Sequence, residues 1–217
     1  MIRVNIFIYR INPISGGEET ELYTEITSGE NFDRRKFTVS AEMFFELELP
    51  ITLSSPLEIS REKYGVIASF SSGHAAVKKG INILSFSDNT KKGLVKKLVA
   101  KGFSREASEY AADFLERSGY INEANSACML AKDMALKKLY GPKRIAAALF
   151  EKGFSREAID AAAEETDVDF SSICRTRIEK MGGREIFADN DEKKKAVAAL
   201  LRYGFSYDDI KEALRRK

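Results

Sequence analysis

Few side chains in this 217-residue sequence belong to the types that perform catalysis or bind metal ions. His74 is its single histidine, and Cys128 and Cys174 are its two cysteines, 46 positions apart. A catalytic triad or a zinc site needs several such groups at suitable spacing. We therefore interpret both cysteines as buried free thiols. His74 follows Ser71-Ser72-Gly73, and we expect it to lie in solvent at the start of a helix.

The patterns that hold nucleotides in enzymes are also missing from the sequence. It contains neither a Walker-type glycine loop nor a dinucleotide fingerprint. Its many carboxylates stand beside lysines and arginines, which is typical of solvated helix faces. We predict that the protein is not an enzyme and has no catalytic residue, cofactor, metal or small-molecule substrate. An enzyme with its site in the N-terminal region is the weaker alternative, because only His74 lies near that region.

Basic residues are the remaining candidates for binding, because lysine and arginine bind carboxylates and phosphates. The segment 137–144, with the sequence KKLYGPKR, is the most concentrated basic and aromatic cluster. Pro142 favours a helix start, so Lys143 and Arg144 would occupy a first turn, where the helix dipole disfavours cations. This local conflict points to a ligand, although ordinary surface charge is the alternative for each residue. The predicted partner-binding residues are Lys92, Lys101, Arg105, Lys137, Lys138, Tyr140, Lys143, Arg144, Lys152, Arg156 and Lys194.

Composition and charge indicate a globular protein with two dissimilar parts. Apolar residues make up 44% of the chain and charged residues 31%, as in soluble folded domains. Residues 1–75 carry 7 Lys/Arg and 11 Asp/Glu, whereas residues 76–217 carry 28 and 22. The second part is thus better suited to meeting phosphate. No apolar run is long enough to span a bilayer, and the start does not resemble a signal peptide, so we expect a cytoplasmic protein without membrane contact.

The N-terminal part has the pattern of strands. Polar and apolar residues alternate over short stretches that turn-forming dipeptides separate, which predicts a small β-rich domain over residues 1–70. The strand candidates are Arg3–Ile11, Glu21–Thr27, Lys36–Ser40 and Met43–Leu49, with turns at Asn12-Pro13, Gly16-Gly17 and Ser28-Gly29. Residues 41–47 fit a short helix equally well.

An internal repeat dominates the remainder. Gly-Phe-Ser occurs at Gly102, Gly153 and Gly204, at intervals of 51 residues, which indicates a structural repeat. Each glycine is expected to end one helix in a left-handed conformation, and each serine to cap the next helix. A period of this length leaves room for a third helix per unit, such as 122–139 and 170–181. We predict a mostly α-helical fold of three tandem three-helix repeats, 71–121, 122–168 and 169–217, in an elongated, curved array.

These residues resemble a known family. Leu98-x3-Gly102-Phe103-Ser104, Tyr140-Gly141-Pro142-x-Arg144-Ile145 and Gly204-Phe205-Ser206-Tyr207-x2-Ile210 look like the motifs of RecX, the bacterial regulator of RecA. The resemblance covers about residues 75–217, and the β-rich segment is similar in placement to the N-terminal extension of many Gram-positive members. The first unit departs from the commoner pattern, because Asp88-Asn89-Thr90-Lys91 stands where an Arg-Ser pair is frequent.

The resemblance implies a regulatory protein that binds RecA–DNA filaments. It would lie in the filament groove and limit ATP turnover, filament extension and strand exchange. Its partners would be the RecA filament and, in addition, single- and double-stranded DNA. The alternative is a direct DNA-binding protein that uses the three-helix units as helix-turn-helix modules. The segment Ser155–Glu165 speaks against that alternative, because it is rich in alanine and acids rather than in base-reading residues.

Overall fold

The computed structural model describes residues 4–215. It is mostly helical, with a small antiparallel sheet at the N-terminal end. The first elements are β1 (Val4–Ile14), β2 (Glu19–Ser28), β3 (Asn31–Ser40), α1 (Ala41–Glu46) and β4 (Leu57–Ile59). The strands pair in the order β3-β2-β1-β4. Arg3, where we expected the first strand to begin, lies outside the described residues.

Helices follow the sheet in three successive sets, α2 to α4, α5 to α7 and α8 to α10. Their bounds are α2 (Arg61–Leu84), α3 (Lys91–Ala100), α4 (Arg105–Arg117), α5 (Glu123–Lys138), α6 (Pro142–Glu151), α7 (Arg156–Glu165), α8 (Phe170–Lys180), α9 (Asn190–Arg202) and α10 (Tyr207–Arg215). The helices expected at 122–139 and 170–181 are thus present as α5 and α8. Arg216 and Lys217, at the end of the third predicted unit, lie outside the described residues.

The chain forms two compact units. The first comprises the chain up to Ser87 together with Leu94–Tyr120, and the second comprises Asp88–Gly93 together with the chain from Ile121 onward. The four-part division that the sequence predicts remains a prediction.

In the first unit, one face of the sheet packs on α1 and α2. Its core is formed by Ile8, Leu22, Val39, Met43, Leu47 and Ile67. Further along α2, two glycines allow α4 to approach closely. A Cβ at Gly73 would lie 3.0 Å from the Tyr110 ring, and one at Gly80 would lie 2.5 Å from Leu115 Cδ1. Small residues on α2 therefore determine how α4 packs.

The second unit contains two hydrophobic clusters. One is built from α5, α6 and α7, and Met134, Ile145 and Leu149 are among its buried residues. The other is built from α8, α9 and α10, with Ile178, Leu200 and Phe205 in its interior. Leu139 also belongs to the second cluster, so the residue that follows α5 packs among the helices from α8 onward.

The three Gly-Phe-Ser turns have the same local geometry. Gly102, Gly153 and Gly204 have φ angles of +94°, +88° and +91°. The amide of the following phenylalanine donates to the carbonyl five residues earlier, at 3.3 Å from Phe103 to Leu98, 3.2 Å from Phe154 to Leu149 and 3.2 Å from Phe205 to Leu200. This is the Schellman arrangement that ends a helix, as the sequence predicted.

The serines of these turns cap the helices that follow. The hydroxyl oxygens of Ser104, Ser155 and Ser206 accept hydrogen bonds from backbone amides three residues later, at 3.1, 3.3 and 3.0 Å. A serine cap of this kind stabilises a helix by about 1 kcal/mol. In the third turn, the Asp209 carboxylate also accepts a hydrogen bond from the Ser206 amide at 2.7 Å. This reciprocal pair is a capping box.

Two expectations for the N-terminal part are wrong. Met43–Leu49 is not a strand, and the alternative of a short helix is confirmed: residues 41–46 form α1, because Ser40 caps the Met43 amide and Met43 and Leu47 are buried one helical turn apart. Asn12-Pro13 is not a turn, because both residues lie within β1, and the chain reverses at the 3-10 turn Ser15–Gly17. The short strand β4, which pairs with β1, was not among the strand candidates.

Candidate partner-binding site

The basic segment 137–144 lies where α5 ends and α6 begins. Leu139 takes a left-handed conformation, with φ +53° and ψ +49°, which is unfavourable for a leucine. Its side chain is buried, with 5% exposure, and burial of a leucine contributes about 2 kcal/mol. Burial of Leu139 thus offsets the backbone strain and fixes the direction in which Tyr140 leaves α5.

The next residues dock on the turn between α9 and α10. The Gly141 amide donates to the Tyr203 carbonyl at 2.7 Å, and the Lys143 amide donates to the Gly204 carbonyl at 3.2 Å. A Cβ on Gly141 would collide with the backbone of Gly204, and one on Gly204 would collide with the backbone of Arg144. The Tyr-Gly-Pro motif therefore has a structural role: it joins the start of α6 to the third Gly-Phe-Ser turn.

This junction brings cationic side chains and tyrosine rings together. Arg144 Cζ lies 4.5 Å from the centre of the Tyr140 ring and 5.8 Å from that of Tyr203. Arg177 Cζ lies 3.5 Å from the Tyr203 ring centre, and Lys138 Nζ lies 5.9 Å from that of Tyr140. The two ring centres are 6.2 Å apart. We call these five residues, Lys138, Tyr140, Arg144, Tyr203 and Arg177, the cation–aromatic ladder.

The cations of the ladder have no acidic partner. Within residues 4–215, no carboxylate forms an ion pair with Lys138, Arg144 or Arg177. Arg144 instead donates from Nη1 to the Arg202 carbonyl at 3.2 Å, and Nε of Arg177 is buried without a hydrogen-bond partner. The first turn of α6 contains Lys143 and Arg144 and no acid, so the helix dipole adds to the positive potential there.

Other candidate residues are paired with carboxylates on their own helices. The distances are 2.8 Å from Arg105 to Glu109, 2.9 Å from Lys137 to Asp133, 3.8 Å from Arg156 to Asp160 and 3.5 Å from Lys194 to Asp191. All four cations are well exposed, so each pair contributes little to stability. Their charge is nevertheless locally compensated, which makes them weaker candidates for binding an anion.

The remaining candidates lie near two of the glycine turns. Lys152 lines an open groove of the second unit together with Thr90, Met129 and Phe154. Lys92 lies beside the same turn, because a Cβ at Gly153 would be 3.7 Å from Lys92 Cδ. Lys101 is exposed in the first unit, as is Arg105. Of the eleven predicted residues, the structure therefore brings Lys138, Tyr140 and Arg144 into one cluster, with Lys143 beside them.

Two members of the ladder, Tyr203 and Arg177, are not among the residues predicted from the sequence. Tyr203 comes directly before Gly204, just as Lys101 and Lys152 come directly before Gly102 and Gly153. Comparison of the repeats therefore indicated this position for binding, but it did not indicate that a tyrosine would serve there. Arg177 lies on α8, and residue 126, the equivalent position one period earlier, is a serine. Nothing in the sequence indicates that Arg177 packs on Tyr203.

The histidine and the cysteines take part in no such cluster. Both cysteines are free and buried, as expected, and burial raises the pKa of the Cys174 thiol to about 12. The placement expected for His74 is wrong. It lies within α2 with 14% of its side chain exposed, and its Nε2 is 2.9 Å from Glu19 Oε1. The Lys78 ammonium and His74 both lower the pKa of the Glu19 carboxyl, against the effect of burial.

No group of three or more His, Cys, Asp and Glu side chains arranged to hold a metal ion occurs in residues 4–215. In the same residues, no helix is both long and apolar enough to cross a membrane.

Comparison with known proteins gives a consistent picture, although no protein-family model matches the chain. Regulatory protein RecX of Stenotrophomonas maltophilia strain R551-3 is 30% identical to it over 139 residues, which are 64% of this chain and 85% of the relative. A crystal structure of regulatory protein RecX has a TM-score of 0.69 at 19% identity and covers 97% of this chain and 100% of its own. The crystal structure of RecX from Lactobacillus salivarius has a TM-score of 0.59 at 24% identity and covers 66% and 95%.

Proposed function

The chain belongs to the RecX family of regulatory proteins, and we propose that it binds RecA–DNA filaments and limits ATP turnover, filament extension and strand exchange by RecA. The observation that carries the proposal is the 30% identity that extends over 85% of a protein named as a regulator. Such a regulator acts by binding, and the second unit offers a surface suited to it. Filaments on chromosomal DNA would place the protein in the cytoplasm.

Within this proposal, the partner-binding surface is centred on the cation–aromatic ladder and Lys143. The ladder combines unpaired positive charge with aromatic rings, and both features are enriched where proteins bind partners. Lys92, Lys101 and Lys152 are proposed as additional contacts near the glycine turns. Arg105, Lys137, Arg156 and Lys194 are proposed as weaker contacts, because their charges are compensated.

We also propose that residues 71–121, 122–168 and 169–217 are three copies of one three-helix module. The shared period of 51 residues, the matching glycine φ angles and the serine caps support this division. Each module would supply a similar helix end to the partner. Residues 1–70 would form a β-rich addition that α2 joins to that series.

The proposal is tested by measuring ATP hydrolysis by RecA on single-stranded DNA while the purified protein is added. We expect suppression at amounts well below one molecule per RecA, because one bound regulator can stop a filament from extending. Hydrolysis by an unrelated DNA-dependent ATPase, measured in the same mixture without RecA, serves as the control and should not change. Undiminished hydrolysis by RecA at equimolar protein would defeat the proposal.

A second candidate function is direct binding of DNA without RecA. The unpaired cations of the ladder favour it, because phosphate binding by lysine and arginine supplies most sequence-independent affinity for DNA. Specific readout of bases finds little support in α7, whose sequence REAIDAAAEE contains neither asparagine nor glutamine and whose one arginine, Arg156, is paired with Asp160. This candidate therefore concerns the DNA backbone rather than a recognised sequence.

A further inference from the structure

We infer that the cation–aromatic ladder binds the sugar–phosphate backbone of a DNA strand and does not read the bases. The inference rests on the proposed function, because it assigns the DNA of the filament, rather than RecA itself, to this surface. The ladder lies entirely within the second unit, so it is a property of that unit alone.

The cations on the N-terminal sheet face differ from those of the ladder. On the outer face of the N-terminal sheet, arginines also lie over aromatic rings, with Arg34 Cζ 5.5 Å from the Tyr9 ring centre. There, however, Arg34 is bound by Glu25 at 2.7 Å and Lys36 by Glu21 at 2.9 Å. That face carries its own counter-charges. The ladder has none in the described part of the chain, so its positive charge is available to an anion.

The ladder contains several positive charges close together. Lys138, Arg144 and Arg177 are linked through the two tyrosine rings, and Lys143 adds a fourth cation beside them. Like charges held this close repel one another unless anions lie between them. A single carboxylate would compensate one of the cations. A polymer with one negative charge per nucleotide supplies several anions from one ligand.

The covered ring faces of the ladder favour the DNA backbone over the DNA bases as its ligand. Proteins that bind single strands through bases offer open aromatic faces on which the bases stack. In the ladder, cations already cover ring faces: the Arg177 guanidinium lies 3.5 Å from the Tyr203 ring centre, and Arg144 lies over both rings. The rings therefore orient the guanidinium groups. A guanidinium held in this way keeps the planar set of N–H donors that binds phosphate oxygens.

The test is fluorescence anisotropy of labelled DNA with the full-length protein and no RecA, at several salt concentrations. The probes are single strands and duplexes, each in two unrelated sequences of equal length. The ladder variant is Lys138→Gln with Arg177→Gln. The control variant is Arg34→Gln with Lys36→Gln, which removes one arginine and one lysine that are paired with Glu25 and Glu21 and lie outside the proposed surface. Circular dichroism verifies that both variants fold.

We expect the wild-type protein to bind both sequences with equal affinity within about threefold. The ladder variant should lose about tenfold in affinity at low salt. Its slope of log K against log salt should become shallower by about 1.8 on duplex DNA, since each phosphate contact contributes about 0.9. The control variant should stay within about twofold of wild type. The single variant Lys138→Gln, at the exposed end of α5, should make the slope shallower by about half as much. It keeps the test valid if Arg177→Gln unfolds the protein.

Three results would overturn the inference. The first is a ladder variant that binds DNA as wild type does. The second is a tenfold preference between the two sequences, which would mean that bases are read. The third is that wild type does not bind DNA and that the ladder variant no longer inhibits RecA. The ladder would then contact RecA itself, and the proposed function would stand. Conversely, DNA binding through the ladder without any inhibition of RecA would refute the proposed function alone.

Discussion

Gly141 is the residue on which the geometry of the ladder depends most directly. It has an ordinary φ of −80°, so any residue could adopt its backbone conformation. It must be glycine because the backbone of Gly204 occupies the space that a side chain would need. The same contact holds Tyr140 and Arg144 against Tyr203. A requirement of packing between distant residues thus explains a motif that, in the sequence, looks like a simple helix start.

We predict opposite effects for two glycine-to-alanine substitutions. Gly141→Ala should lower the free energy of unfolding by about 2–3 kcal/mol, because the backbone must shift to admit a methyl group. Gly65→Ala should raise it by about 0.5–1 kcal/mol, because Gly65 lies within α2 with no atom near its Cβ position, and alanine favours the helix. Urea unfolding followed by circular dichroism measures both. Equal effects of the two substitutions would show that the Gly141–Gly204 contact is not tight.

Residue-level prediction from the sequence succeeded where the signal is local. The capping serines and helix-ending glycines were predictable because both depend on neighbours within a few positions. Tyr140 and Arg144 were predicted as part of a basic and aromatic cluster, yet their contacts with Tyr203 could not be, since these residues are about 60 positions apart. The same reason applies to Arg177. Only the folded chain shows which cations lack a carboxylate.

At the level of elements, Glu123 connects two helix starts. It is the first residue of α5. One of its carboxylate oxygens accepts a hydrogen bond from the Lys91 amide at 2.7 Å, and the other accepts one from the Ser155 amide at 2.8 Å. The start of α3 and the turn before α7 are therefore held by one side chain within the second unit. Backbone amides at helix starts need such acceptors.

We predict that Glu123→Gln lowers the free energy of unfolding by about 1–2 kcal/mol. A glutamine has one acceptor oxygen and presents N–H groups to the other amide, so one charge-assisted hydrogen bond is lost. Glu164→Gln is the matched control: Glu164 is exposed near the end of α7, and its substitution should change stability by less than about 0.5 kcal/mol.

Hydrogen exchange measures the same contact locally. In the Glu123→Gln protein, the amides of Lys91 and Ser155 should exchange faster than in wild type, while those within α9 should not change. Unchanged protection of both amides would mean that Glu123 does not hold these helix starts.

The elements themselves were largely predictable, with errors where two patterns compete. Helices α5 and α8 were expected because the repeat of 51 residues leaves room for a third helix, and the strands β1 to β3 were expected from alternation. Met43–Leu49 satisfied both periods, and the cap from Ser40 decided for helix. Pro13 was read as a turn, although it lies in β1, where its partner is Thr20 of β2. Strand β4 has three residues, too few for alternation to be recognised.

At the level of the whole molecule, uneven charge and family membership support the same account. The net charge of −4 over residues 1–75 and of +6 over residues 76–217 matches the contrast between a charge-balanced sheet face and an uncompensated ladder. The RecX family was predicted from the motifs in residues 75–217 and is confirmed by the relatives. Which cations bind the partner could not be predicted, because the sequence gives charges but not their pairing.

The most direct test of the account is co-sedimentation of the protein with RecA filaments. The filaments are assembled on single-stranded DNA with an ATP analogue that RecA does not hydrolyse, and parallel samples contain the same DNA without RecA. We predict that the protein pellets with the filaments at a salt concentration that releases it from naked DNA. The account would be contradicted if the filaments retained no more protein than naked DNA does.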